Sequence, residues 1–578
     1  MTVGWISHAG VPFPDHVAPA ERRAWVRQGL CPDLDLYTLF ARHVSSHPHK
    51  QAVIESGDAS GEGLDYAGLD REVRRVAALF TEAGLGPGDV IALRLPNCRD
   101  AVIAELAVYA VGAVALPYPP GGGTRDTLAL LGRARARGAV FAERGDIALR
   151  GRLPHLETVF SPETGVPGTT WLGSTPERGF HGPARPVDPT APARVLVSSG
   201  SETEPKMVAY AHQAMGGGRA SYLRALDPGC AERRHLVLVS LASSFGSAGV
   251  LTVAALGGTL LLQPAFSPPE ALRLLTTHRP THLFAVPTML RRLAEHPPAP
   301  GEDLSALRAL VSSGAALPQS TGELCRERFR RPVITIYGSS DGVNCHMFHG
   351  AGPEGCAGVP DPEVTRIRVT GPAGDALPPG HPGEIQAKGP MTPLCYVGSA
   401  ELDARYRAAG GWVRTGDRGL LDADGRLFVL GRMRNIVVRG GCNISPAEVE
   451  QELGNHPDLA DAVCVPVADQ ELGERLCVCV RQRPGTAPLS LPELTDYLLR
   501  QRGLEKRKLP EFVFRVAHMP LGPTGKICRR TLGERANEIY GEQRGKRPRG
   551  VRSVSGTPDA EPYESGWDYA ARPESASA

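Results

Sequence analysis

Residues 89–118 read DVIALRLPNCRDAVIAELAVYAVGAVALPY, and their pattern decides the fold. The first seven, DVIALRL, form a short and nearly unbroken apolar run that reads as a buried strand. Residues 98–112 carry an amphipathic helical repeat, and AVALPY is strand-like again. Strand, helix, strand is the unit from which a mostly parallel sheet, covered by helices on both faces, is assembled.

The same rhythm recurs at ARVLVSS (193–199), RHLVLVSL (234–241), GGTLLLQ (257–263), THLFAVP (281–287), LRALVSSG (307–314) and PVITIYG (332–338). In such sheets ligands bind beyond the carboxyl ends of the strands, and several Gly- and Ser-rich loops sit there. The most apolar stretch, FGSAGVLTVAALGGTLLL (245–262), holds four glycines, a serine and two threonines. That makes it a poor membrane span, and it predicts a buried helix, a break at Gly257 and Gly258, then a buried strand.

At 578 residues the chain is too long for one core and predicts two or three domains. Sixty-four basic against 62 acidic residues leave no basic footprint, so no nucleic-acid partner is expected. The first 29 residues lack a charged start followed by an apolar run, so no signal peptide is read. A cytoplasmic protein is expected. Twelve cysteines without a CxxC pair fit small buried hydrophobes better than a zinc site, and Cys477 and Cys479 alternate as on one face of a strand.

After GRLFVLGRMRN the pattern changes to a compact α+β unit of ordinary domain size. The expected division is an N-terminal extension (1–34), a large domain (35–431), a hinge (432–434), a small domain (435–537) and a disordered tail (538–578). The tail is expected from its Gly, Pro, Ser and charge content.

Three segments carry candidate chemistry. In SSGSETEPKMV (198–208), Gly200 lets the backbone approach a ligand. Ser198, Ser199 and Ser201 offer hydroxyls, and Lys206 supplies a point charge for a phosphate chain. The same loop carries Glu202 and Glu204, which an anion site should avoid. In GWVRTGDRGLLDADGRLFVLGRMRN (411–435), an acid in a tight turn, Asp417, and a base after a strand, Arg432, are spaced to hold two sides of a sugar. DADG (422–425) reads as a plain hairpin turn. In PLGPTGKICRR (520–530), a flexible loop presents Lys526.

In this order the segments resemble the adenylate-forming superfamily of acyl- and aryl-CoA synthetases, carrier-protein adenylation domains and luciferases. The resemblance covers about residues 35–535 and adds SSGAAL (312–317), YGSSD (337–341) and GGCNISPAEVE (440–450) to the matched motifs. It implies a large N-terminal domain of mostly parallel sheets and a small mobile C-terminal domain. It also implies ATP and Mg²⁺ as cofactors, with CoA or a carrier-protein phosphopantetheine as thiol acceptor.

Residue by residue, the resemblance implies that Tyr337 stacks on adenine beside Gly314, Ala315 and Ala316, with Gly338 and Ser339 following in the same motif. Asp417 and Arg432 hold the ribose. Ser198, Ser199, Gly200, Ser201 and Lys206 take the phosphates. Ser340 and Asp341 stand near the α-phosphate, with Asp341 and Ser201 as metal ligands. Lys526 bridges carboxylate and α-phosphate, Ser243, Phe245 and Gly246 line the acid pocket, and Arg434 is the hinge.

Three departures from the family pattern are visible. Glu202 stands where Thr is usual; the favoured reading turns its side chain away and leaves its N–H to the phosphate. Asp341 replaces Glu, and Ser243 replaces His in SLASSFG (240–246), which also lacks an aspartate to pair an α-ammonium. The leading expectation is ATP-dependent adenylation of a small organic acid, then transfer to an external thiol. Two others stand beside it: adenylation of nitrous acid to diazotise an arylamine, and a degenerate nucleotide-binding protein.

Overall fold

The computed structural model describes residues 4–57, 63–120, 124–182, 186–198, 206–353, 355–433, 437–439, 442–469, 472–522, 526–546 and 567–571. The deciding stretch folds as read. Strand Val90–Arg94 leads into helix Arg99–Ala110 and strand Val114–Pro117, and the two strands pair in parallel with Val90 opposite Val114. The helix is buried all round its second half, which is why its apolar residues spread beyond one stripe. Its one buried carboxylate, Glu105, takes the Tyr109 hydroxyl and pairs with Arg194 from strand Pro192–Ser198.

Among the described residues, the large domain holds three sheets of six to eight strands. The first runs Lys206–Ala211, Pro192–Ser198, Val114–Pro117, Val90–Arg94, Gly138–Phe141, Thr158–Ser161, Thr170–Trp171, parallel except for the first pair. The second runs Asn344–Phe348, Val333–Gly338, Ala309–Ser313, His282–Ala285, Arg234–Val237, Thr259–Leu262, Gln51–Glu55, Leu64–Asp65, with only its outermost pairs antiparallel. The stretch 245–262 gives helix Ser247–Ala254 and strand Thr259–Leu262, as expected. Gly257 between them has φ +64°, and a Cβ there would meet His43 Nδ1 at 2.6 Å.

The third sheet is antiparallel and carries Cys356–Gly358, Leu427–Arg432, Trp412–Leu421, Gly383–Lys388 and Arg366–Thr370. It holds the DADG hairpin: Gly425 N donates to Asp422 O at 3.1 Å and Asp422 N to Arg426 O at 3.0 Å. The N-terminal segment is pinned to the large domain, because Arg22 Nη1 donates to Thr392 O at 2.9 Å from a buried position.

In the small domain, helix Pro446–Leu453 and strands Leu459–Asp469, Gly473–Gln482 and Phe512–Val516 enclose a core in which Cys477 and Cys479 face one cluster. Helix Leu491–Asp496 begins with a capping box between Ser490 and Glu493. Ser490→Ala is expected to lower stability by about 1 kcal/mol, read as a shift in denaturant midpoint at constant slope.

Part of the stretch expected as tail carries regular structure. Helix Arg529–Lys546 runs past the expected boundary at residue 538, held by Leu532 and Ala536, which are buried against strand residues of the small domain. Trp567–Ala571 pairs antiparallel with Phe512–Val516, Phe512 opposite Ala571. No described helix is long and apolar enough to cross a membrane.

Candidate active site

Asp417 does not lie in a tight turn. It sits within strand Trp412–Leu421, directly across the hairpin from Arg432, the last residue of Leu427–Arg432. Gly416 and Gly419 also lie inside this long strand; at Gly419 a Cβ would meet Phe428 O at 2.5 Å. Register therefore brings the pair together: Arg432 Nε stands 2.8 Å from Asp417 Oδ1. Tyr337, near the end of Val333–Gly338, donates its hydroxyl to Asp417 Oδ2 at 2.6 Å. Burial pushes the Asp417 carboxyl up, against the opposing pull of Arg432 and the Tyr337 hydroxyl.

The chain beyond Tyr337 turns tightly. Asp341 N donates to Ser339 Oγ at 3.1 Å, and the Ser340 carbonyl accepts the Tyr210 hydroxyl at 2.7 Å. Asp341 is buried and its Oδ1 accepts the Tyr396 hydroxyl. Lys206 opens strand Lys206–Ala211, is buried, and holds its ammonium 3.6 Å from the centre of the Tyr406 ring.

Lys526 arrives from the small domain. Its loop is closed by Gly522 N donating to Lys526 O at 2.7 Å, and by a bridge between Leu521 and Ile527. The side chain lies beside Gly314, crowded by protein yet exposed to solvent. Gly314 has φ +94°, and a Cβ there would lie 2.6 Å from Lys526 Cε. Burial and the Arg432 charge together lower the Lys526 pKa from its ordinary value. Gly314→Ala is expected to push the ammonium aside and slow catalysis about 10- to 100-fold, with AMP affinity as the control.

The segment expected to line the acid pocket is turned in on itself. Ser243 Oγ donates to Ser240 O at 2.7 Å and accepts from Gly246 N at 2.9 Å, so its hydroxyl closes the turn. A Cβ at Gly246 would meet Ser240 O at 1.9 Å, which fixes glycine there. Phe245 packs 5.7 Å from Phe284, ring to ring. Ala315 and Ala316 are exposed beside Gly314, and Gly338 follows Tyr337 at the strand end. Ser199, Gly200, Ser201 and Arg434 lie outside the described residues, as does the side chain of Ser198.

Several neighbours have no signal in the sequence. Arg219, in the run MGGGR, donates to Ser244 O at 2.7 Å and Ser244 Oγ at 3.0 Å. Its helix packs so closely that a Cβ at Gly218 would lie 2.1 Å from Met391 N. Tyr210, Tyr396 and Tyr406 pack around Ser340, Asp341 and Lys206, and only the glycine run hinted at a tight approach.

Comparison with known proteins decides the family. Residues 40–397 match the model of AMP-binding enzymes, and residues 448–526 match the AMP-binding enzyme C-terminal domain. The chain belongs to the AMP-binding enzyme family. It is 29% identical to a salicyl-AMP ligase / salicyl-S-ArCP synthetase of Mycobacterium tuberculosis over 90% of this chain and 94% of that protein. It is 31% identical to a feruloyl-CoA synthase of an Amycolatopsis species, over 84% and 96%. The solved amide bond synthetase McbA from Marinactinospora thermotolerans superposes with TM-score 0.74 at 29% identity, over 85% of this chain and 98% of that one. This AMP-binding enzyme is therefore an AMP-forming acid ligase, and its large domain of mostly parallel sheets with a smaller C-terminal domain is the fold of those relatives.

Proposed function

We propose that the protein adenylates a small organic acid with ATP, releasing pyrophosphate, and then passes the acyl group to a thiol of CoA or of a separate carrier protein. The placement of Lys526 against Gly314, near Arg432 and the Asp417 and Tyr337 pair, carries this reading. A carboxylate and an α-phosphate are both anionic, and they approach only where positive charge is already oriented toward them. Lys526 holds its proton between the two groups and stabilises charge as the carboxylate oxygen attacks phosphorus and pyrophosphate leaves. Asp417 and Arg432 fix the ribose, and Lys206 faces the phosphate tail.

Mg²⁺ fits this site. Asp341 is a single buried carboxylate with Oδ1 taken by Tyr396, and Mg²⁺ favours one or two carboxylates together with phosphate oxygens and water. When bound there it neutralises phosphate charge. After adenylation, rotation at Arg434 withdraws Lys526 and opens the site to the acceptor, a gating step.

The test is pyrophosphate release from ATP across aliphatic acids, aryl acids, and nitrite with an arylamine. CoA, a pantetheine thiol and simple amines are then added to whichever acid works. Acid-dependent release followed by thioester formation is the expected result. ATP binding without release from any of these contradicts the reading, and release with nitrite alone replaces the organic acid.

A further inference from the structure

Among the described residues, Arg407 has no partner adequate to its position. It follows helix Ala400–Tyr406 and opens strand Arg407–Ala408, whose backbone pairs with Val413 and Trp412. Its side chain is 5% exposed, and among the described residues none of its three guanidinium nitrogens finds a hydrogen-bond partner. Asp403 Oδ1 stands 3.7 Å from Nε, beyond hydrogen-bond reach, and that oxygen already accepts the Tyr396 amide at 2.9 Å. A buried guanidinium with unmet donors is costly unless something anionic completes it.

The neighbours indicate which anion. Arg407 Cζ lies 5.5 Å from the centre of the Tyr396 ring, and the Tyr396 hydroxyl donates to Asp341. The Tyr396 ring packs 5.5 Å from Tyr406, whose face carries the Lys206 ammonium. The Arg407 charge also reaches Tyr210, which holds the Ser340 carbonyl. Arg407 thus stands on the Lys206 and Asp341 side of the site, while Tyr337, Asp417 and Arg432 occupy the nucleoside side.

We propose that Arg407 is a phosphate-tail residue, whose guanidinium binds the β- and γ-phosphate oxygens of ATP, and the departing pyrophosphate, alongside Lys206. A planar guanidinium presents two parallel donors to phosphate, which a point charge such as Lys206 does not. The inference rests on the reading that this chain uses ATP, and it assigns to Arg407 a share of the work usually left to the loop before Lys206.

Equilibrium binding of MgATP, magnesium pyrophosphate and AMP to wild type, Arg407→Gln and Arg407→Lys tests it. Arg407→Gln is expected to weaken ATP and pyrophosphate about 10- to 100-fold while AMP changes less than about twofold, and Arg407→Lys to recover part of the loss. Unchanged ATP affinity, or equal loss for ATP and AMP, overturns the assignment, the second outcome marking a structural role. Should circular dichroism show that the glutamine variant does not fold, Arg407→Lys decides: a several-fold loss confined to ATP and pyrophosphate supports the proposal, and none overturns it. A wild type that binds no ATP at all removes the adenylation reading itself, so the two failures are distinguishable.

Discussion

Lys526→Ala is expected to slow acid-dependent pyrophosphate release about 100- to 1,000-fold while ATP affinity changes less than about threefold. The asymmetry follows from where the ammonium sits. It comes from a loop of the small domain and lies against Gly314, where the proposed chemistry brings carboxylate and α-phosphate together. Its contact with the reacting oxygens strengthens as charge builds in the transition state, so its loss appears in kcat more than in ground-state binding. An equal loss of ATP affinity would make Lys526 a binding residue and remove the central step of the proposed chemistry.

The same residue sets a pH dependence. Because burial and Arg432 lower the Lys526 pKa below its ordinary 10.5, the catalytic proton is lost at lower pH than from a free lysine. The adenylation rate is therefore expected to fall on the alkaline side before pH 10.5, and the limb is expected to vanish from the residual rate of Lys526→Ala. A limb that persists in the variant belongs to another group.

Asp417→Ala is expected to weaken both ATP and AMP about 100-fold, and adenosine by a similar factor. The carboxylate is buried and receives Tyr337 and Arg432 at once, so its removal strands a buried hydroxyl and releases the guanidinium. Arg432 is half exposed, so the stability cost is expected at about 1–3 kcal/mol rather than the larger figure for a fully buried pair. Calorimetric titration with adenosine separates the two effects: affinity lost for adenosine and ATP alike places Asp417 on the ribose. Adenosine binding that survives unchanged contradicts that role.

What could be read beforehand depended on whether the signal was local. Residues 89–118 alternate strand and helix within one short window, and the break at Gly257 lies in a run of apolar residues, so both were legible. The hairpin turn at Asp422 was legible for the same reason. The setting of Asp417 was not, because its meaning comes from register with Arg432 fifteen residues on, across a hairpin turn. Arg407 and Arg219 resemble any surface arginine in sequence. Only long-range packing, Tyr396 over one and Ser244 and Tyr210 against the other, shows them buried. The Ser243 hydroxyl illustrates the converse, since a residue aligned with a pocket position closes its own turn.

In the proposed reaction the acid's carboxylate oxygen attacks the α-phosphate of ATP. The direct measurement supplies an active acid labelled with ¹⁸O in its carboxyl group, lets the enzyme turn over with its acceptor, and weighs the recovered AMP. One ¹⁸O atom in the AMP phosphate is the predicted result. Unlabelled AMP, or label appearing in inorganic phosphate beside ADP, would contradict it.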